Sequence, residues 1–199
     1  MALVVGLGNP GARYMRTRHN VGWRVVEILV RRWKARPVPA TPTYRAWGAE
    51  LGAGPDRKAV ALLTPLTFMN LSGMAVMAWK EQHGLEIGDL LVVADDVYLP
   101  VGALRLRREG TSGGHRGLES IELALGSRAY GRLRIGVGAA GRSEALREHV
   151  LEEFEDEAET AVDEILELAA DAVECWVREG ATAAMNRFNR RVPKEDSTP

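Results

Sequence analysis

The sequence predicts an α/β fold: a single domain on a twisted, mixed β-sheet flanked by helices. Three observations predict it. Apolar runs of strand length alternate with stretches of helical period. One run, Leu90-Leu91-Val92-Val93-Ala94, is apolar without a break, the pattern of a strand covered on both faces. A long segment, 155–177, carries Ala158, Val162, Ile165, Ala169, Ala172 and Trp176 at helical spacing with acids between them. The chain has 199 residues, a length that fits one large domain, and is 46% hydrophobic, enough to bury a core. The domain is expected over 1–192, followed by a polar, disordered tail over 193–199.

The elements follow in order. Residues 3–6 read as a buried strand. Residues 21–33 read as a helix with Val21, Val25, Ile28 and Leu29 on one face. Residues 44–51 alternate like a strand and 58–63 form a second apolar run. Gly54-Pro55-Asp56 between them is hairpin-like turn chemistry. Ser72 is placed to cap a helix over 73–82 that Gly84 ends. Residues 101–107 alternate in part, 117–125 read as a helix, and 133–137 as another strand. After a break at Gly180, residues 181–188 continue as a short helix.

Composition excludes several classes. No apolar run approaches the roughly 18 residues that span a bilayer. The first residues lack the basic-then-apolar pattern of a signal peptide. Cys175 is the single cysteine, so no intrachain disulfide or cysteine metal cluster forms, and a cytoplasmic home is expected. Net charge is −1, but its distribution is uneven. Arg13, Arg16, Arg18, Arg24, Arg31, Arg32, Lys34 and Arg36 crowd the early chain. Arg105, Arg107, Arg108, Arg116, Arg128, Arg132, Arg134 and Arg142 crowd a later stretch, and acids gather between Glu144 and Glu174. This fits a basic binding face backed by an acidic, solvated one; arginines that merely decorate the surface are the alternative.

Three polar turns follow three apolar runs: Asn9-Pro10-Gly11, the stretch from Thr64 to Asn70, and Asp95-Asp96. If those strands run parallel, Asn9, Asn70 and the aspartates converge on one sheet edge near His19, where open α/β sheets bind ligands. A base, a carboxylate to orient it and two amides suit hydrolysis of an activated carbonyl. No Ser or Cys sits in a nucleophile-elbow context, which favours direct attack by water. A neutral imidazole base implies activity that falls below about pH 6. Turn-forming asparagines and loop-forming aspartates are the plainer reading, and spacing does not say which aspartate faces His19.

Gly6-x-Gly8-x-x-Gly11 also matches a dinucleotide fingerprint. That fingerprint needs a helix opening within it, and here the helical period starts only at Val21. Gly110-Thr111-Ser112-Gly113-Gly114-His115-Arg116-Gly117 reads as a mobile loop or a polyanion cradle. His83 and His149 read as structural, and the four histidines are too scattered to suggest a metal site.

Taken together, these segments resemble the bacterial peptidyl-tRNA hydrolase family. The stretches are Gly6-Leu-Gly-Asn-Pro-Gly11 with Tyr14; Thr17-Arg-His-Asn20; Thr67-Phe-Met-Asn-Leu-Ser-Gly73; Asp95-Asp96 with Leu99-Pro100; Gly113-Gly-His115 with Gly117-Leu118; and Arg132-Leu-Arg-Ile-Gly136. The resemblance implies a monomeric cytoplasmic enzyme with no cofactor, no membrane contact and no obligate protein partner. It would hydrolyse the ester between a peptide and the 3′-terminal ribose of tRNA, recycling tRNA from aborted translation. His19 would be the base that activates water and Asp95 its orienting acid, with Asp96 the fallback. Asn9 and Asn70 would hold substrate beside the scissile ester, Asn70 also facing the oxyanion. Tyr14, Phe68 and Met69 would line the site, His115 would be a substrate-binding residue, and the glycine-rich loop before it resembles part of the family's mobile gate. Arg107 and Arg134 would clamp the tRNA 5′-phosphate. The chain departs from the family at Arg116, where asparagine is usual; guanidinium cannot accept a hydrogen bond, so a grip on an acceptor-end phosphate is expected instead. A noncatalytic RNA-binding protein on the same scaffold is the rival reading, and a nicotinamide or flavin enzyme a distant third.

Overall fold

The computed structural model describes residues 1–39, 41–138 and 148–189. Arg142, Glu144 and the predicted tail over 193–199 lie outside the described residues. A seven-stranded mixed sheet forms the centre, in the order β2-β3-β4-β1-β5-β7-β6. The strands are β1 (Ala2–Gly6), β2 (Arg36–Pro37), β3 (Tyr44–Leu51), β4 (Lys58–Pro65), β5 (Leu90–Asp96), β6 (Leu104–Arg107) and β7 (Gly131–Gly136). β4, β1, β5 and β7 run parallel, while β2, β3 and β6 pair antiparallel at the edges. The helices are α1 (Val21–Arg32), α2 (Ser72–His83), α3 (Arg116–Leu125), α4 (Asp156–Glu179) and α5 (Ala181–Phe188).

The sheet is covered on both faces, as the unbroken run in β5 predicts. Leu91 and Val93 join the core shared with α1 and α4. Leu90, Val92 and Ala94 join the core under α2 and α3. Strand alternation makes this division. α1 lies unusually close to β1: a Cβ on Gly6 would strike the Gly22 carbonyl, and one on Gly22 would meet Leu7 N and Val93 O at 2.5 Å. That contact sets α1, and the turn before it, over the C-terminal ends of β1 and β5.

Three expectations change. Ser72 is the first residue of α2 rather than its cap; its hydroxyl donates to Met69 O at 2.8 Å. The partial alternation over 101–107 gives a strand only at β6, because Gly102, at φ 88°, belongs to a turn. The early arginines form no single free face. Arg24 pairs with Asp163 at 2.8 Å, and Arg32 with Glu167 and Asp171 at 2.6 Å each, stitching α1 to α4. Much of the acidic side of α4 is thus answered by basic residues of this chain. Among the described residues, no helix is long and apolar enough to cross a membrane.

Candidate active site

β1, β4 and β5 are parallel, so the turns that follow them open on one edge, as the sequence argument requires. From Gly11 the chain makes two 3-10 turns, Ala12–Tyr14 and Arg18–Asn20, before α1 begins. The first turn of α1 packs on this segment, but its Trp23 N–H is spent on Leu7 O at 3.2 Å and the Asn9 N–H on Asn20 Oδ1 at 2.9 Å, so these groups do not form the open pyrophosphate cradle of a dinucleotide site. The second turn carries His19. Arg18 anchors it: its backbone N–H donates to Glu152 O at 3.0 Å, its guanidinium to Glu153 O at 2.6 Å, and the guanidinium lies over the Phe154 ring.

His19 Nδ1 is 2.7 Å from Asp95 Oδ1. Asp95 is 2% exposed, at the end of β5. Its neighbour Asp96 turns away: Oδ2 accepts from Arg134 at 3.2 Å and Oδ1 from the backbone N–H of Tyr98 at 2.9 Å. The geometry therefore selects Asp95 as the partner of His19. Burial by itself raises the Asp95 carboxyl; the attraction of His19 and His115 and their hydrogen bonds outweigh it, holding the group well below the usual carboxylate range. An ionised Asp95 accepts, so His19 carries its proton on Nδ1. Nε2 has no hydrogen-bond partner among the described residues.

His19 and Asp95 line a cavity of about 350 Å³ with Asp96, Tyr98, His115, Arg116 and Arg134. A larger hollow of about 540 Å³ lies at the opposite sheet edge beside Met1, Lys58, Asp89 and Trp176. Its lining has no histidine, and its one carboxylate, Asp89, is paired with the terminal amine; the smaller cavity is the one lined by an imidazole–carboxylate pair.

The other predicted residues fall in different settings. Asn9 is buried and held by Asn20, which accepts from its N–H at 2.9 Å and donates to its carbonyl at 3.0 Å. Met69 N donates to Asn9 Oδ1 at 2.8 Å, so the amide orientation is fixed and Nδ2 is the group left to offer. Asn70 is exposed on the 3-10 turn Met69–Leu71. Met69 is buried and Phe68 is 54% exposed. Tyr14 is half-buried and accepts from Arg13 at 2.6 Å. Asn9, Asn70, Tyr14, Phe68 and Met69 are not among the residues lining the His19 cavity.

Arg107 and Arg134 line an adjoining cavity of about 340 Å³ together with Arg105. Arg134 is turned inward, donating to Thr111 O at 2.9 Å and Ser112 O at 2.6 Å as well as to Asp96. Arg116 opens α3, is exposed, and has no polar partner among the described residues. His83 stacks on Trp79 at 3.9 Å, and His149 donates to Gly138 O at 3.1 Å.

His115 is the residue whose surroundings the sequence did not disclose. Its Nε2 lies 2.9 Å from the same Asp95 Oδ1, and its ring centroid 5.0 Å from that of His19. Histidines that look scattered in sequence are thus gathered, with Asp95, within 4.8 Å. The spacings are those of hydrogen bonds: 2.7 and 2.9 Å are shorter than the edge of about 3.3 Å that zinc–nitrogen bonds of about 2.05 Å impose on a tetrahedron. Asn20 was also passed over; its only sequence signal is its place beside His19.

An imidazole held on one nitrogen by a buried carboxylate, with the other nitrogen free beside a polar cavity, is arranged to move protons. On a sheet of this topology it defines an α/β hydrolytic enzyme. The family model described as peptidyl-tRNA hydrolase matches residues 3–196. The peptidyl-tRNA hydrolase of Desulforudis audaxviator is 48% identical over 190 residues, covering 95% of this chain and 93% of that one. That of a Synechococcus strain is 44% identical over 189 residues, covering 95% and 83%. The solved structure of peptidyl-tRNA hydrolase from Acinetobacter baumannii superimposes with a TM-score of 0.87 at 31% identity, covering 97% of this chain and 96% of that one. The chain belongs to the peptidyl-tRNA hydrolase family.

Proposed function

We propose that this chain hydrolyses the ester between a peptide, or an N-blocked aminoacyl group, and the 3′-terminal ribose of tRNA, with His19 activating the water. Family membership supports the reaction. The observation that carries the mechanism is the 2.7 Å contact between His19 Nδ1 and a buried, ionised Asp95, which leaves Nε2 as the base. Water attacks the ester carbonyl carbon while His19 Nε2 takes its proton. Asp95 stabilises the imidazolium without accepting that proton. Asn9 and Asn70 hold the substrate beside the ester, and an amide N–H of Asn70 holds the carbonyl oxygen as charge develops. The intermediate collapses, the carbon–oxygen bond to ribose breaks, and the leaving oxygen takes the proton back from His19. The products are free tRNA and peptide.

Tyr14, Phe68, Met69 and His115 are assigned to the surroundings of the substrate. Arg116 is assigned to an acceptor-end phosphate, and Arg107 and Arg134 to the 5′-phosphate. No cofactor enters these steps. The single cysteine supports a cytoplasmic location, and the chain is taken to act there as a monomer without an obligate protein partner.

The test is release of N-acetyl-aminoacyl groups from tRNA by this chain and by His19→Ala, with unblocked aminoacyl-tRNA alongside. The expected result is turnover of the blocked substrate, a loss of about a thousandfold in the variant, and little cleavage of the free-amine substrate. Tight tRNA binding with no turnover by the unaltered chain would overturn the reading in favour of an RNA-binding protein.

A further inference from the structure

His115 sits at the N-cap of α3 in extended conformation, at φ −74° and ψ 112°. Its Nδ1 lies 3.1 Å from the backbone N of Gly117 and 3.3 Å from that of Leu118. Both of those groups are donors, so Nδ1 must be the bare nitrogen. The ring's proton is then on Nε2, the atom 2.9 Å from Asp95 Oδ1. His19 meets that same oxygen through Nδ1. Two imidazoles therefore sit on one carboxylate oxygen in opposite tautomers, and of the two only His19 keeps a bare nitrogen for the cavity.

A cap alone does not explain a histidine here. Serine, aspartate or asparagine would satisfy the same N–H groups. None of them reaches forward to donate to Asp95 while accepting from Gly117 and Leu118; an imidazole has an acceptor and a donor on opposite edges of one rigid ring. The ring is also packed in place. Its side chain is 6% exposed. A Cβ on Gly117 would come within 3.1 Å of His115 Cε1 and 2.5 Å of Met69 Sδ. On the other side, the backbone N–H of His115 donates to Ser112 O at 3.1 Å, a carbonyl that Arg134 also holds.

We propose that His115 is a positioning residue: locked as the Nε2–H tautomer by the opening N–H groups of α3, it fixes the Asp95 carboxylate in the orientation that presents His19 as the base. This rests on the hydrolytic reading given above. It differs from a substrate contact, because both ring nitrogens are spent inside the protein.

The first arm of the test needs no turnover. Nitrogen-15 spectra of the histidine rings of the full chain at neutral pH should show His115 protonated on Nε2 and bare on Nδ1, with His19 the reverse. A His115 ring protonated on Nδ1, or averaging between tautomers, would overturn the proposal even if the enzyme hydrolyses its substrate. The second arm separates the two edges of the ring. His115→Asn keeps an acceptor near Nδ1 and loses the donor; it should melt near the unaltered chain while kcat falls at least tenfold and KM stays within about twofold. His115→Gln carries a donor toward Asp95 and loses the cap; it should melt lower yet retain more kcat than His115→Asn. A raised KM with unchanged kcat in both variants would mark a substrate contact and overturn the proposal. An unaltered chain with the expected tautomers and no turnover would instead overturn the hydrolytic reading and leave the lock standing.

Discussion

Asp95 and Asp96 are neighbours on β5, and both are buried, at 2% and 5% exposure. Strand alternation sends them to opposite faces. Asp95 continues the row of Leu91 and Val93 and meets His19 and His115. Asp96 continues the row of Val92 and Ala94 and meets Arg134 and the Tyr98 N–H. The first carboxylate is surrounded by groups that move protons. The second holds an arginine that in turn grips the carbonyls of Thr111 and Ser112 in the glycine-rich loop. The same side chain, one residue apart, joins two imidazoles in one case and the architecture of the loop in the other. What distinguishes the two is the partner each face provides.

The largest expected effect falls on Asp95. Asp95→Asn keeps the shape but loses the charge that fixes the His19 tautomer and stabilises the imidazolium. A loss of about a thousandfold in kcat is expected, read by initial rates on blocked aminoacyl-tRNA; the comparable change in a serine-protease triad costs about 10⁴. The same residue leaves a mark on stability. Its folded-state carboxyl is held below its unfolded value of about 4, so its contribution is complete at neutral pH and is lost as pH falls below that value. Urea unfolding followed from pH 6 down to pH 3 should therefore lose stability more gently in Asp95→Asn than in the unaltered chain.

A smaller effect is expected at the rim of the cavity. Arg116 places a cation at the N-terminus of α3, against the helix dipole and without a polar partner among the described residues. An anionic ligand bound there would compensate it. Arg116→Asn should raise KM several-fold with little change in kcat, and reduce the slope of log affinity against log salt by about one. Unchanged KM and salt slope would remove the phosphate contact. The smallest effect belongs to an arginine that is already satisfied. Arg32 meets Glu167 and Asp171, both more than half exposed, so Arg32→Ala should cost about 1 kcal/mol or less by thermal unfolding and leave tRNA affinity unaltered.

Much of this was legible in the sequence. The helical period of α1 and α4 and the alternation of β3 are local signals, and they placed those elements within a few residues. The convergence of His19 with the Asp95-Asp96 pair followed from parallel strands ending in polar turns, while the choice of Asp95 between the two came from the family resemblance. What was not legible depends on partners distant in the chain. Arg24 and Arg32 looked like a binding face until α4 supplied their acids, more than a hundred residues away. Arg134, assigned to phosphate, also bonds inward to Asp96 and the loop carbonyls, partners that no local pattern disclosed. Histidine is an uncommon helix cap, so nothing local announced that His115 would close α3 and share Asp95.

The most direct measurement is the single-turnover rate of N-acetyl-aminoacyl-tRNA cleavage, at saturating enzyme, for Asp95→Asn and Asp96→Asn side by side. The account predicts a rate about a thousandfold down for Asp95→Asn and within about tenfold of the unaltered chain for Asp96→Asn. Equal losses in the two variants, or the larger loss at Asp96, would contradict the assignment of Asp95 as the acid that makes His19 the base.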